Sequence, residues 1–197
     1  MAIVHQLEWK SIATGVAFAD MNVFEANAAE LEKLRKKVDE MFRQRSQSPK
    51  HEAAWREAAR AFHAGYDKLA FPGGLSREFE LLKVGDATAI EEAVRFLEAD
   101  PWYFRSGYHK ADILKMLGKH PLSEDQCARM RELILKRVRG RPVREVRAYA
   151  RFAPKVNTPQ FEAEIIKIAK NSNRLAVRHA QWVLDCLKSA GKWFGET

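Results

Sequence analysis

The chemistry available to this chain is concentrated in one stretch. From Arg129 to Lys155 stand Arg129, Arg131, Lys136, Arg137, Arg139, Arg141, Arg144, Arg147, Arg151 and Lys155, against only Glu132 and Glu145. The formal net charge of the whole chain is +8, so this segment holds the entire excess and the remainder is close to balanced. A positive field this concentrated is a statement about partners, not about fold. Arginine outnumbers lysine here, which favours paired, planar contacts with phosphate or carboxylate over simple solubility. Ten cations among two acids exceed what Glu132 and Glu145 can neutralise, so the segment reads as a binding surface for a phosphate backbone or an acidic protein segment.

A second cluster is Asp100-Pro101-Trp102-Tyr103-Phe104-Arg105-Ser106-Gly107-Tyr108. Three consecutive aromatics beside an arginine can stack bases or seat a partner's side chain. The plainer expectation is a tight turn after an Asp-Pro helix stop, with Trp102 and Phe104 plugging a joint between helices. His63, His109 and His179 are possible bases, but no serine, cysteine or carboxylate pair stands in a catalytic arrangement with them. His179 reads as a partly buried structural residue. HExxH, CxxC and Gly-rich phosphate loops are absent, so no catalytic residue, metal or cofactor is expected. Cys127 and Cys186 sit at apolar-flanked helical positions and are expected as buried, reduced thiols. No apolar run approaches the roughly 20 residues of a membrane span. The N-terminus lacks the basic and apolar regions of an export signal, so a cytoplasmic protein is expected, with no membrane partner.

The elements that carry these residues are helical almost throughout, because apolar residues recur at spacings of three and four and alternating strand-like runs are missing. Residues 1 to about 26 suggest one or two short helices. Asn27 is placed to cap a helix reaching about Arg45, with Leu31, Leu34, Val38, Met41 and Phe42 as its stripe. Ser46-Gln47-Ser48-Pro49 breaks it. A long helix from about Pro49 to Ala70 follows, with Ala54, Trp55, Ala58, Phe62, Tyr66 and Leu69 on one face. Ser76 is placed to cap a short helix that Gly85 stops.

From there the chain repeats. Thr88, Ser123 and Thr158 are helix starts spaced 35 residues apart. Thr88 and Ser123 open capping-box patterns, and Thr158 precedes a proline at the first helical position. First helices are expected over about 88–99, 123–139 and 158–170, and second helices over about 106–118, 142–153 and 173–189. Tyr108, Ala111 and Leu114 align with Val143, Val146 and Tyr149, and both sets with Val177, Ala180 and Val183, as one buried stripe per second helix. A fixed period of this size signals stacked helical hairpins.

The segment Asn173 to Leu187 resembles the second helix of a HEAT repeat, through Val177-Arg178, the small Ala180, and Leu184 and Leu187. Pro142-Val143-Arg144 repeats the Val-Arg pair one unit earlier, while Tyr108-His109 stands where the first unit would carry it. The likeness extends from Thr88 onward, and armadillo-like arrays share the pattern. It implies an all-α, right-handed solenoid over 86–197, with residues 1–85 as an N-terminal helical cap and the second helices lining a concave side. It implies no activity.

On that concave side, residues one turn apart form columns: His109, Arg144 and Arg178, then Asp112, Arg147 and Gln181, with Arg151 four residues beyond Arg147. Arg137, Arg139 and Arg141 adjoin at the turn. The expected function is a non-enzymatic module that engages an acidic protein partner through Arg137, Arg139, Arg141, Arg144, Arg147, Arg151, Arg178 and His109. The alternative is a DNA- or RNA-binding protein, possibly of the HEAT-like DNA glycosylase type, for which Trp182 with Asp185, or Trp102 with Asp112, would be the residues to consider. The choice between them turns on aromatics. Nucleic-acid channels interleave stacking rings with cations, and within the basic stretch only Tyr149 and Phe152 offer any.

Overall fold

A computed structural model describes the backbone of residues 5–141 and 145–194, and the side chains of residues 23–141 and 145–189. Every regular element among them is helical. In chain order these are α1 (His5–Gln44), α2 (Pro49–Ala70), α3 (Leu75–Val84), α4 (Ala87–Ala99), α5 (Ser106–Leu117), α6 (Glu124–Arg139), α7 (Val146–Phe152), a 3₁₀ turn (Ala153–Val156), α8 (Pro159–Ala169) and α9 (Arg174–Phe194). No described helix is long and apolar enough to cross a membrane. The chain divides into two compact units, one of residues 1–80 and 99–106, the other of residues 81–98 and 107–197.

In the first unit α1 packs along α2. Asn27 lies inside α1 and caps nothing. The expected break fails because Phe24, Ala28 and Leu31 continue one buried stripe straight through it at helical spacing. Ser48 caps α2, accepting from the backbone N–H of His51, and Pro49 fills the first helical position, where its missing N–H costs nothing. Ala58 and Phe62 are buried, and Phe42 meets Trp55 edge to face at 5.9 Å. Ser76 does not cap α3. Its N–H and hydroxyl both donate to Asp67 Oδ1, at 2.9 and 2.6 Å.

The aromatic turn belongs to this unit. Tyr103 is its buried member and donates its hydroxyl to the Ala70 carbonyl at 3.0 Å. The Phe104 N–H donates to Glu32 at 2.8 Å, the Tyr66 hydroxyl donates to the Phe104 carbonyl at 2.7 Å, and Arg35 lies 4.1 Å over the Phe104 ring. Trp102, expected as a plug, is 67% exposed.

In the second unit the predicted helix boundaries hold to within a few residues, with one change at the start. Asp86, not Thr88, caps α4 by accepting the Ala89 N–H at 2.9 Å. Gly85, at φ +77, ends α3 in the left-handed region that glycine adopts at least cost, and this leaves Asp86 in the capping position. Ser123 and Gln126 form the full reciprocal capping box on α6, and Thr158 caps α8. The Asn173 side chain accepts the N–H groups of Leu175 and Ala176 at the start of α9.

Packing in this unit links positions one sequence period apart. Gln126 on α6 donates to Glu91 on α4, 35 residues earlier. The Lys110 ammonium on α5 stands 3.8 Å from the Glu145 carboxylate at the start of α7. The Arg147 guanidinium on α7 lies 4.7 Å over the Trp182 ring on α9. These last two pairs have the same separation in sequence as the first. α6 also packs on α8, and α7 and α8 both pack on α9. Leu114, Val146, Tyr149, Ala180 and Val183 of the predicted stripes are buried, but Tyr108 is 45% exposed. In α5 the inward face is carried by Ile113, Leu114 and Leu117, a spacing of i, i+1, i+4 that turns Tyr108 outward.

Candidate functional site

The basic stretch separates into two populations. On α6, Arg129 donates to both oxygens of Glu98 at 2.9 and 2.6 Å and to Glu91 at 2.7 Å. Those bonds hold its guanidinium still more firmly protonated than usual. Burial alone would raise the Glu91 carboxyl, but the bonds from Gln126 and Arg129 outweigh it and keep it below the ordinary carboxylate range. Arg131 pairs with Glu124 and donates to the Val156 carbonyl. Arg139 pairs with Glu164 at 3.1 Å. The expectation that this stretch lacks the acids to balance it is therefore wrong for α6. Glu91, Glu98 and Glu164 arrive from α4 and α8, far outside the stretch. These pairs are structural, and Arg139 faces its acid on α8 instead of an open face.

The remaining predicted residues divide further. Arg137 is half-buried with its guanidinium 5.7 Å over the Tyr149 ring. Arg141 is exposed at the turn after α6. Arg144 lies outside the described residues. His109 is buried, so the predicted column of His109, Arg144 and Arg178 does not form as an exposed row. It fails at His109 because α5 turns Tyr108 outward and the next residue inward.

What does assemble is a different group. Arg147 and Arg151, one turn apart on α7, and Arg174 and Arg178, one turn apart on α9, are all exposed. None of the four is ion-paired with a described carboxylate. Between the two helices stands Trp182, half-buried, with Arg147 at 4.7 Å and Arg178 at 5.5 Å from its ring centre. A guanidinium within about 6 Å of an indole centroid is attracted by the ring quadrupole. Val183, adjacent to it, is fully buried and anchors this register of α9. His179, one turn before Val183, is buried too, with Nδ1 3.3 Å from the Val138 carbonyl. Burial pushes its pKa below the usual histidine value, and the Arg178 charge adds to that.

Trp182 lines two cavities. One, of about 530 Å³, is walled by Gly107, Tyr108, Glu145, Arg147, Arg151 and Trp182 among others. The other, of about 520 Å³, is walled by Arg174, Arg178, Gln181, Trp182 and Asp185. Asp185 is engaged there by the Gln181 amide at 2.8 Å. Tyr149 and Phe152, the aromatics the sequence offers within the basic stretch, are buried and serve the core. The exposed rings come from outside it. Trp182 follows Arg147 by 35 residues and Tyr108 precedes Val143 by 35, and that spacing is the only sequence signal that could have found them.

Cys127 and Cys186 are both free and half-buried, with thiols pushed up chiefly by burial. Among the described residues no group of three His, Cys, Asp or Glu side chains is placed to hold a metal ion. Comparison with protein families, curated proteins and solved structures finds no match.

Proposed function

We propose that this chain is a HEAT-like helical-repeat protein that binds nucleic acid along the exposed faces of α7 and α9. The repeat reading is supported by the three contacts that join residues one period apart and by the packing of α6 on α8 and of α7 on α9. Such stacks present their second helices as an extended binding surface. The single observation that carries the nucleic-acid reading is Trp182 beside Arg147 and Arg178, in a cavity that exposed Tyr108 also lines. Arginines hold phosphates, and half-exposed rings offer a stacking surface to bases of any sequence. Both requirements meet on one face. An acidic protein segment would use the same arginines, and aromatic anchors serve protein interfaces as well. The interleaving of rings and cations favours nucleic acid.

Fluorescence anisotropy with labelled duplex DNA, single-stranded DNA and RNA, run beside a labelled poly-glutamate peptide, tests the reading. The expected result is tighter binding to nucleic acid, lost when Arg147, Arg151 and Arg178 are all replaced by Glu. Binding of the acidic peptide alone would transfer the surface to a protein partner.

A second reading, base excision, is favoured by one observation. Asp112 is exposed on α5 one turn beyond Tyr108, so a carboxylate stands near that exposed ring. A carboxylate there would stabilise the positive charge that develops on the sugar as a glycosidic bond breaks. Release of free base from damaged duplex, abolished by Asp112→Asn, is the result this reading requires.

A further inference from the structure

The cavity between α5, α7 and α9 has a floor that the nucleic-acid reading does not use. Lys110 is 2% exposed and Glu145 8% exposed, so a full ion pair sits beneath an open site. Burying two charges is costly, and apolar residues of the same volume commonly do as well. The local geometry is built around the carboxylate. Glu145 Oε1 stands 3.8 Å from the Lys110 ammonium. A Cβ on Gly107 would lie 2.9 Å from Glu145 Oε2, so the glycine leaves the carboxylate room in its present position. Glu145 forms part of the cavity wall together with Tyr108, Arg147, Arg151 and Trp182.

Those five side chains define a ligand by complementarity. Arg147 and Arg151 call for an anion. Tyr108 and Trp182 call for a planar ring. Glu145, which as a carboxylate only accepts, calls for N–H donors. One small unit carries all three: a nucleotide. The cavity, at about 530 Å³, falls within the ordinary range of small-ligand sites. We propose that this cavity is a single-nucleotide pocket that takes one unpaired nucleotide out of a strand, with its phosphate on Arg147 and Arg151, its base against Tyr108 and Trp182, and its amino edge on Glu145. The pocket rests on the nucleic-acid reading above and adds a preference to it. Guanine, with two adjacent N–H donors on one edge, suits a carboxylate best. Thymine offers one N–H between two carbonyls that the carboxylate repels. An unpaired base enters at least cost, because no pairing has to be broken.

The test measures binding of the full-length protein to three short duplexes: fully paired, with one bulged guanine, and with one bulged thymine. The bulged-guanine duplex is expected to bind about tenfold tighter than the paired one, the gain one stacked base provides, with bulged thymine between them. Ala111→Trp fills the cavity from α5 without removing a cation. It should erase the bulge advantage and leave paired-duplex affinity unchanged. Lys110→Met with Glu145→Gln should erase the preference for guanine over thymine, with folding checked by circular dichroism. Equal binding of bulged and paired duplexes by the unmodified protein overturns the pocket while the binding surface stands, as does a bulge advantage that survives Ala111→Trp. Binding to none of the three overturns the nucleic-acid reading itself, and the pocket with it.

Discussion

Replacing two arginines should change the salt dependence of binding by a calculable amount. Arg147, Arg151, Arg174 and Arg178 are exposed and free of ion pairs to described carboxylates, whereas Arg129, Arg131 and Arg139 are engaged by Glu98, Glu124 and Glu164. Only the first group is available to displace counterions from a phosphate backbone. Each neutralised phosphate contributes about −0.9 to the slope of log affinity against log salt, so four contacts give about −3.6 on duplex DNA. A rise from about 50 to about 200 mM salt then weakens binding roughly 150-fold. Arg147→Gln with Arg178→Gln leaves two contacts, a slope near −1.8 and a loss of only about 12-fold over the same range. Anisotropy titrations at several salt concentrations measure both slopes. Removing Arg129 instead should destabilise the fold through Glu91 and Glu98 and leave the slope of the folded protein untouched. A slope that ignores Arg147 and Arg178 but falls with Arg129 would refute the division of the basic stretch into structural and available cations. A slope near zero throughout would refute phosphate binding altogether and point to a mixed protein interface, whose apolar contacts salt does not screen.

Other outcomes follow from the same geometry. Glu145→Ala removes a buried carboxylate that stands 3.8 Å from the Lys110 ammonium and should lower stability to urea by about 1 kcal/mol or more; an unchanged unfolding midpoint would argue that the pair contributes nothing. His179 has a folded pKa below its unfolded value of about 6.5, so the unfolded chain binds protons first as pH falls. Its contribution to stability is complete above that value and is lost below it, and His179→Gln should flatten the decline in unfolding midpoint between pH 7 and 5. Ser123→Ala removes the hydroxyl that accepts the Gln126 N–H, one half of the α6 capping box, and should cost about 1 kcal/mol by urea unfolding. Cys127 and Cys186 should label slowly in the folded protein at neutral pH, because burial raises both thiols, and both should label fully in denaturant.

The local signals in this chain were legible because they act over one helical turn. Ser48-Pro49, Gly85, Ser123 with Gln126, and Thr158-Pro159 each satisfy or withhold backbone groups within a few residues, so helix ends could be read directly from residue type. Gln126 meets Glu91 at the same 35-residue separation as the helix starts. Where two local signals competed, as Asp86 with Thr88, the sequence did not rank them, and Asn27 was overruled by an apolar stripe that runs through it. Charge and exposure were a different matter. Coulomb interaction takes no account of sequence distance, so a run of ten cations could be judged only once Glu91, Glu98 and Glu164 had been brought beside two of them, Arg129 and Arg139. Side-chain direction depends on helix rotation against neighbours, and one position of rotation separates buried His109 from exposed Tyr108. Residue pattern and composition therefore determined that this protein is helical and positively charged. Tertiary packing alone decided which arginines remain available, and that their aromatic partners are Trp182 and Tyr108 in place of Tyr149 and Phe152, which the core consumed.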